Sequence, residues 1–538
     1  MFKLPQSQTK TLVAVHGWSA IALGFLLYAV VITGTIAVFA NEIGHWSIGR
    51  GEAVSVFDQP VDAHIRKAIA SVDAKYRDDL NVVASPLGNL RAWIHTREKR
   101  DTGNIEDRGV VIEIDQSTGQ EIVRREGWAG EVLAEPATAL ERFLVDVHVR
   151  LHLPHPWGLI LTGILGLAMM AAAVSGLLMH RHLVKDSFTL RRHKETLVAA
   201  RDEHSVAGTW GLPFAFLLAL TGAFFSFALS IGLPVMSFVA FGGNQEKLIA
   251  AVAGTPPVED KRPARMADLD AIIREARVRA SGEVRRLEIS HYGRMDARAT
   301  VRLAPAKGAL QPATLVFSAA DGSFEKAKPS LGTSPSLGST LFSIIAPLHF
   351  GNFGGVVSKL VWLALGFASC FLIATGMTLW LKRRAEDTRW QVFGYVNATV
   401  IYGLPIGLVA SAYGFLLIYP AHAAITAPPV AFLIGAAATI GYAVFTVRRS
   451  PAPQLDANLM RSLGVLLMGL PVVRILAGGM FWPSAITNGA YETVAVDFVL
   501  LLVAVICLRL ARKWRSGPGY RSPMAHRVPG SEHVRPAK

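Results

Sequence analysis

Two stretches of the sequence share one pattern: HGWSAIALGFLLYAVVITG at residues 16–34 and HSVAGTWGLPFAFLLALTG at residues 204–222. Each begins with a histidine, places a Thr-Gly pair seventeen residues later, and holds no Asp, Glu, Lys or Arg. A run of about 20 apolar residues is what an α-helix needs to cross the hydrocarbon core of a membrane. The sequence therefore predicts two membrane-spanning helices that begin and end alike.

The composition is typical of a membrane protein. Of the 538 residues, 51% are hydrophobic and 17% are charged, where a soluble domain carries about 25% charged residues, and the mean hydropathy is +0.36. The net charge of +14 is expected in cytoplasmic loops, and no nucleic-acid partner is predicted. With two cysteines, Cys370 and Cys507, the chain cannot form a disulfide framework, a thiolate zinc site, an iron–sulfur cluster or a Cys-x-x-Cys-His haem attachment. Metal chemistry would have to use the 16 histidines.

Charge-free stretches, with two further apolar runs near the C-terminus, predict a mainly α-helical, polytopic membrane protein with about eight spans in the lipid bilayer. The stretch from Arg389 to Arg448 is too long for one helix, and Tyr419-Pro420 and Pro428-Pro429 bracket a turn in it, so it is predicted as a hairpin. The predicted spans are residues 1–41, 148–182, 204–235 and 346–384, the hairpin is 390–447, and a C-terminal pair of spans is 459–511.

Basic residues cluster in alternate loops. They precede the first span, fill the loop of residues 183–203, and follow the fourth, sixth and eighth spans. Because Lys and Arg near helix ends mark the cytoplasmic side, both termini are predicted to be cytoplasmic. The basic tail at residues 512–538, rich in Pro, Gly and Ser, is predicted to be disordered.

Two long polar inserts, residues 42–147 and 236–345, are placed outside by the alternate crossings. The first carries a helix-like segment at 61–76 and a strand at 110–115 that runs into a tight turn. The second carries a helix-like segment at 266–280 and a strand at 314–318, also before a turn. Each insert is predicted to be a small α+β domain.

The repeated pattern continues into the second and fourth spans. Leu151-His152 precedes the second span, which ends in Ser175-Gly176, and Leu348-His349 precedes the fourth span, which ends in Thr375-Gly376. The sequence thus predicts an internal repeat in which a helix–domain–helix unit occurs twice in the same orientation. Two such units imply a pseudo-two-fold axis along the membrane normal.

Equivalent histidines of two units can approach each other across such an axis. His16 and His204 are predicted to pair at the cytoplasmic end, and His152 and His349 at the outer end. Two facing imidazoles suit bis-axial ligation of an iron porphyrin, so the sequence predicts haem b, with two haems stacked across the bilayer. Each histidine taken alone also fits an ordinary polar residue at the membrane interface.

Other polar residues leave alternatives open. His148 lies one helical turn before His152, so either could be the outer ligand, or one could contact a propionate. His180, at the inner end of the second span, is either a headgroup contact or a substitute partner for the inner site. Arg474 in the seventh span is predicted to snorkel to the outer interface rather than to act within the membrane.

Several motifs in a fixed order resemble a known family. They are His16-Gly17-Trp18 with Thr33-Gly34, the strand at 110–115 followed by Ser117-Thr118-Gly119, and Leu348-His349-Phe350-Gly351 with Thr375-Gly376 and Lys382-Arg383-Arg384. Over residues 11–384 the sequence is similar to bacterial membrane proteins with PepSY-associated transmembrane helices. The resemblance implies an inner-membrane protein with two periplasmic PepSY-like domains. It also implies a haem-b electron carrier that reduces ferric siderophores in iron uptake, as in the best-understood members.

The leading hypothesis is a transmembrane oxidoreductase that moves electrons from a cytoplasmic or quinol donor to a periplasmic ferric siderophore. Reduction to ferrous iron weakens chelation by hard oxygen ligands and so releases the metal. No Gly-x-Gly-x-x-Gly lies between a strand and a helix, so any nicotinamide or flavin belongs to another protein. The alternatives are a membrane-anchored PepSY-type binding or regulatory module without redox activity, and a transporter.

Overall fold

The structure is a computed structural model that describes residues 5–49, 55–101, 103–179, 185, 187–191, 196–253, 258–306, 309–329, 332, 334, 336–384, 386–447 and 452–516. Its α-helices, in chain order, are α1 (Gln6–Ala37), α2 (Ala40–Ser47), α3 (Asp62–Ala70), α4 (Ala129–Val132), α5 (Ala139–Arg150), α6 (Trp157–Met179), α7 (Thr196–Phe227), α8 (Leu233–Phe241), α9 (Gln245–Ala253), α10 (Leu269–Arg279), α11 (Leu337–Phe350), α12 (Gly355–Lys382), α13 (Thr388–Ile418), α14 (Ala427–Thr446), α15 (Ala452–Leu476), α16 (Trp482–Thr487) and α17 (Tyr491–Ser516). Its strands are β1 (Asp79–Ala84), β2 (Leu90–Lys99), β3 (Ile105–Asp115), β4 (Gln120–Trp128), β5 (Val284–Ser290), β6 (Arg298–Leu303), β7 (Ala313–Ser318) and β8 (Phe324–Ala327).

Eight helical segments of the described chain are long and apolar enough to cross a membrane. They are α1, α6, α7 continued by α8, α12, α13, α14, α15 and α17, which confirms a mainly α-helical, multi-pass membrane protein with eight spans. The seventh span begins earlier than predicted, at Ala452. The last helix continues to Ser516, and the rest of the tail predicted to be disordered, residues 517–538, lies outside the described residues.

Four of the spans form a ring. Helix α1 packs against α6 and α12, and α7 packs against the same two helices. Helices α1 and α7 each run from the end opposite the inserts toward an insert, so the ring has two distinguishable ends. The end on the side of the inserts is called the outer end below, and the other is called the inner end.

The four later spans pack on one side of this ring. Helix α13 contacts α14 and α15, α15 contacts α17, and α13 also touches α1, where the hydroxyl of Tyr28 donates to the carbonyl of Ile401 at 2.8 Å. The α17 helix in turn contacts α2, the short helix that follows α1.

Arg474 on α15 lies inside this bundle. Its side chain is fully buried, and Nη2 lies 2.6 Å from Oδ2 of Asp497 on α17. The indole N–H groups of Trp46 and Trp482 donate to the same carboxylate at 2.7 and 2.9 Å. The snorkelling prediction is therefore wrong: because Asp497 neutralises the guanidinium within the bundle, the side chain does not have to reach the interface.

The two inserts form one sheet rather than two separate domains. Its strand order is β4-β3-β2-β1-β5-β6-β7-β8, and the central antiparallel pair aligns Leu80 with Ile289 and Val82 with Leu287. Helices α3 and α10 cover one face, and side chains of both inserts form a single hydrophobic core. The prediction of two small domains is corrected in this respect, because the edge of each four-stranded half is completed by the other half.

The two covering helices also hold each other at their first turns. The carboxylate of Asp270 accepts the backbone N–H of Val61 at 2.7 Å, and that of Asp62 accepts the backbone N–H of Leu269 at 3.0 Å. Each carboxylate therefore satisfies an otherwise unpaired N–H at the start of the other helix. These reciprocal contacts join one helix of each insert, just as the pairing of β1 with β5 joins one strand of each insert.

Candidate cofactor site between paired histidines

The structure brings two histidines together at the inner end of the ring. His16 on α1 and His204 on α7 have ring centroids 6.4 Å apart, with an angle of 71° between the ring planes. His16 Nδ1 lies 3.1 Å from the hydroxyl of Ser175 on α6. His204 Nδ1 lies 3.2 Å from the carbonyl oxygen of Leu372 and 3.3 Å from the hydroxyl of Thr375, both on α12. We call His16 and His204 the inner pair.

A second pair of histidines meets at the outer end. His148 on α5 and His349 on α11 have ring centroids 6.2 Å apart and nearly parallel planes, 22° from each other. His148 Nδ1 lies 3.0 Å from the carbonyl oxygen of Val30 on α1, and His349 Nδ1 lies 2.8 Å from the hydroxyl of Thr221 on α7. We call His148 and His349 the outer pair.

The hydrogen bonds fix the tautomer of the rings that contact a carbonyl. A carbonyl oxygen can only accept, so Nδ1 of His148 must donate to Val30 and Nδ1 of His204 must donate to Leu372. In a neutral imidazole that donates through Nδ1, the lone pair resides on Nε2. Both rings therefore carry a metal-binding electron pair on the nitrogen opposite their protein contact.

The other two rings reach the same state through hydroxyl groups. The Thr221 hydroxyl donates to the carbonyl of Leu217 at 2.7 Å, so its single proton is used and it accepts from His349. The Ser175 hydroxyl donates to the carbonyl of Ala172 at 3.0 Å and accepts from His16 in the same way. All four histidines of the two pairs thus donate through Nδ1.

Each histidine rests against the glycine of a different Ser/Thr-Gly pair. A Cβ atom added to Gly34, Gly376, Gly222 or Gly176 would lie 2.6, 2.9, 3.2 or 3.6 Å from Cε1 of His148, His204, His349 or His16, respectively. At the first two positions any larger residue would displace the imidazole. The four Ser/Thr-Gly pairs noted in the sequence are therefore the positions where the four rings pack.

The two pairs are separate sites. His148 contacts Val30 and Gly34, which follow His16 on α1 by 14 and 18 residues. At about 1.5 Å per residue this is about 21–27 Å along the helix axis. One ligand molecule between a pair of histidines therefore reaches only one end of the ring.

The inner pair opens into a cavity of about 1090 Å³ between α1, α6, α7 and α12. This volume is slightly above the usual range for ligand and cofactor pockets, which is about 300–1,000 Å³. His16 and His204 both line the cavity, as do Gly176 and Gly376.

The separation of the rings in both pairs fits an iron porphyrin held by two imidazoles. Two nitrogens at about 2.0–2.1 Å from one metal ion put their ring centroids about 6 Å apart, and the observed separations are 6.4 and 6.2 Å. Within the described part of the chain, no cluster of three or more His, Cys, Asp or Glu side chains could hold a metal ion. The two histidine pairs are therefore donor sets that suit a porphyrin iron, which needs only two axial ligands from the protein.

Two of the histidines proposed from the sequence lie elsewhere. His152 is not part of the outer pair: its side chain is half-exposed, its Nδ1 lies 2.7 Å from Asp146, and its backbone adopts a left-handed conformation with φ of +57°. The pairing of His152 with His349 is therefore replaced by His148 with His349, the alternative that the sequence left open. His180 lies outside the described residues.

A spacing in the sequence could have selected His148. It precedes Ser175 by 27 residues, and His349 precedes Thr375 by 26, whereas His152 precedes Ser175 by 23. The shared Leu-His dipeptide favoured His152, but the dipeptide falls at different places relative to the helix ends. Leu151 is the left-handed residue that ends α5, whereas Gly351 has that position after α11.

Comparison with known proteins identifies the same region of the chain. A family model described as the PepSY-associated TM region matches residues 13–383. A protein of Pseudomonas aeruginosa described as the uncharacterized protein PA4219 is 27% identical over 416 residues, which cover 73% of this chain and 98% of that protein. The family match contains the four ring spans, both inserts and both histidine pairs, and it ends before α13.

Proposed function

The chain belongs to the family of membrane proteins with a PepSY-associated transmembrane region, and from the geometry of its histidines we propose that it is a haem-b protein that carries electrons across the bacterial inner membrane. The proposal includes the duplicated helix–domain–helix unit, with the shared sheet in the periplasm and both termini in the cytoplasm. The terminal acceptor we propose is a ferric siderophore.

One observation carries this proposal: four histidines from four helices form two pairs, and every ring donates through Nδ1. A histidine that ligates a metal commonly donates its other ring N–H to a protein oxygen, which orients the ring and makes the ligating nitrogen more basic. The same arrangement at four positions supports ligation by all four rings.

The side chains would act as ligands and as supports for the ligands. His16 with His204 would hold one haem, and His148 with His349 the other. Bound in this way, haem supplies a one-electron couple whose potential depends on the axial ligands and their hydrogen bonds. Ser175, Leu372, Val30 and Thr221 keep the four rings in the ligating tautomer. The haem would be of the b type, because the sequence contains no Cys-x-x-Cys-His.

The two ends of the ring would have different partners. The inner pair lies at the end that receives electrons from a cytoplasmic or quinol donor. The outer pair lies at the end of the shared sheet, where the ferric siderophore would be reduced. Since the two pairs are about 21–27 Å apart along α1, electron transfer across the membrane requires both.

An absorption spectrum of the purified full-length protein, before and after dithionite, tests the proposal. We expect a bis-histidine haem-b spectrum and about two haems per chain by pyridine haemochrome. A colourless, folded preparation from haem-replete cells would instead favour a membrane-anchored binding module without redox activity.

Reporter fusions test the proposed orientation. Fusions after Gly119 and Gly322, in the two sheet turns, are expected to be active only as periplasmic reporters, and a fusion after Arg384 only as a cytoplasmic one, because basic residues follow α12. A periplasmic result at Arg384 would contradict the orientation without contradicting haem binding.

A further inference from the structure

The mouth of the inner cavity is strongly basic. Lys10 on α1, Arg201 on α7, and Arg383 and Arg384 at the end of α12 all belong to its lining. No Asp or Glu belongs to that lining in the part of the chain that the structure describes. Four cations around one opening favour an anionic group there.

A buried hydrogen-bond donor points to the same conclusion independently. Trp380 lines the cavity, and its indole N–H is buried and has no acceptor among the residues that the structure describes. The ring is held in place from several sides: the Arg384 guanidinium lies 3.5 Å from its centroid, and the rings of Trp18 and Trp390 lie 4.9 and 5.7 Å away. A buried donor usually has a partner, so an acceptor is missing at this position.

These groups lie on the cytoplasmic side of the inner histidines. On α12, Gly376 touches His204, and Trp380 and Arg384 follow it by four and eight residues. At about 1.5 Å per residue they lie about 6 and 12 Å further along the axis. On α1, Lys10 precedes His16 by six residues, which is about 9 Å in the same direction.

We propose that this mouth binds the two carboxylates of the porphyrin, so that the inner haem lies with its propionates toward the cytoplasmic end. Arg383, Arg384, Arg201 and Lys10 supply the positive charge, and the Trp380 indole donates the hydrogen bond. Charge-assisted hydrogen bonds of this kind are the strong ones, and they fix orientation as well as affinity. The inference rests on the proposed function, because it takes haem as the occupant of the cavity.

The test compares a porphyrin that has carboxylates with one that lacks them. The full-length His349→Ala variant, which retains only the inner pair, is produced in haem-deficient cells and purified in detergent. It is then titrated with haemin or with haemin dimethyl ester, and the Soret band is followed. We expect haemin to bind at least about tenfold more tightly than the ester.

Single substitutions test which residues cause the preference for haemin over its dimethyl ester. Trp380→Phe keeps an aromatic ring and removes the N–H, and Arg383→Gln removes a charge that is not stacked on Trp380; each is expected to reduce the preference for haemin. Lys382→Gln is the matched control, because Lys382 is a neighbouring cation on α12 that does not line the cavity. Arg383→Gln should also lower the midpoint potential of the inner haem, because a nearby cation stabilises the reduced state.

The outcomes separate the two proposals. If haemin and its ester bind equally well with a bis-histidine spectrum, the carboxylate inference is wrong and the haem proposal stands. If neither gives such a spectrum, the haem proposal fails and this inference fails with it. A third outcome would also overturn the inference. In it, phosphatidylglycerol micelles do not displace haemin and bind Arg383→Gln less well than the unsubstituted protein, while Arg383→Gln keeps the full preference for haemin. The mouth would then bind a lipid headgroup.

Discussion

The inner and outer histidine pairs use the same contacts on different supports. In the inner pair both rings project from the long spans α1 and α7 into a large cavity. In the outer pair both rings are on the short helices α5 and α11, and His349 packs edge to face against the rings of Phe225 and Phe350, whose centroids are each 5.6 Å from its own. The contacts that are common to both pairs, a Ser/Thr-Gly pair and an oxygen acceptor for Nδ1, are therefore the part that the proposed ligation requires.

The helices that carry each pair determine which movements of the protein can change its geometry. Helices α5 and α11 follow β4 and β8 in the chain and lead into α6 and α12. A movement of the sheet would therefore displace the outer pair before the inner pair. The inner pair is positioned by spans alone. Substitutions at one pair are therefore expected to change haem binding at that pair and leave the other pair unchanged.

The largest effect is expected from removing a ligand. His204→Ala should lose the inner haem and keep the outer one, and His148→Ala should do the reverse, so that each variant retains about one haem per chain by pyridine haemochrome. His152→Ala is the control at the outer end and should retain both haems, because His152 contacts Asp146 instead of the pair. If His152→Ala loses a haem and His148→Ala does not, the assignment of the outer pair is wrong.

A graded effect is expected from filling the glycine positions. Gly34→Ala brings a methyl group to 2.6 Å from His148, whereas Gly176→Ala brings one to an ordinary contact distance of 3.6 Å from His16. Overpacking of this kind costs about 1–3 kcal/mol. Haem content should therefore fall most at Gly34, less at Gly376, little at Gly222 and not at all at Gly176. Equal losses at Gly34 and Gly176 would mean that the glycines serve helix packing alone.

The smallest effect is expected from removing a single hydroxyl. Thr221→Val removes the acceptor for His349 Nδ1, and loss of such a supporting bond typically weakens metal binding about 10–100-fold. Thr375→Val should matter less, because His204 keeps the carbonyl of Leu372. We expect the outer midpoint potential to rise in Thr221→Val, since a less basic ligand stabilises oxidised iron less. Similar shifts in both variants would contradict the assigned acceptors.

Local patterns in the sequence predicted the spans and three of the four paired histidines. Long apolar runs are a direct consequence of the bilayer, so all eight spans could be found without knowing how they pack, although the last two contain Arg474 and Asp497. His16, His204 and His349 followed from the repeat. His148 stayed an alternative to His152, because a dipeptide match ignores where the helix ends, and the end of the helix determines which ring faces His349.

Contacts between distant segments were not predictable in this way. Nothing in residues 79–84 indicates that their partner is 284–290, because any exposed strand edge offers the same backbone groups. The burial of Arg474 depends on Asp497, which the sequence places on the next span without any indication of its depth or rotation. The Arg383, Arg384 and Trp380 cluster looks the same in the sequence as any basic, aromatic helix end at a membrane surface.

The shared sheet imposes an order on biogenesis. When the first insert reaches the outer side, β1 has no partner on one edge, and that edge stays open until α6 and α7 have entered the membrane and β5 has followed. An open apolar edge is a target for proteases and for wrong pairing. Closure of the sheet can therefore occur only after three spans are inserted, and in a pulse-labelling experiment nascent chains that end before β5 should be degraded faster than chains that extend past β8.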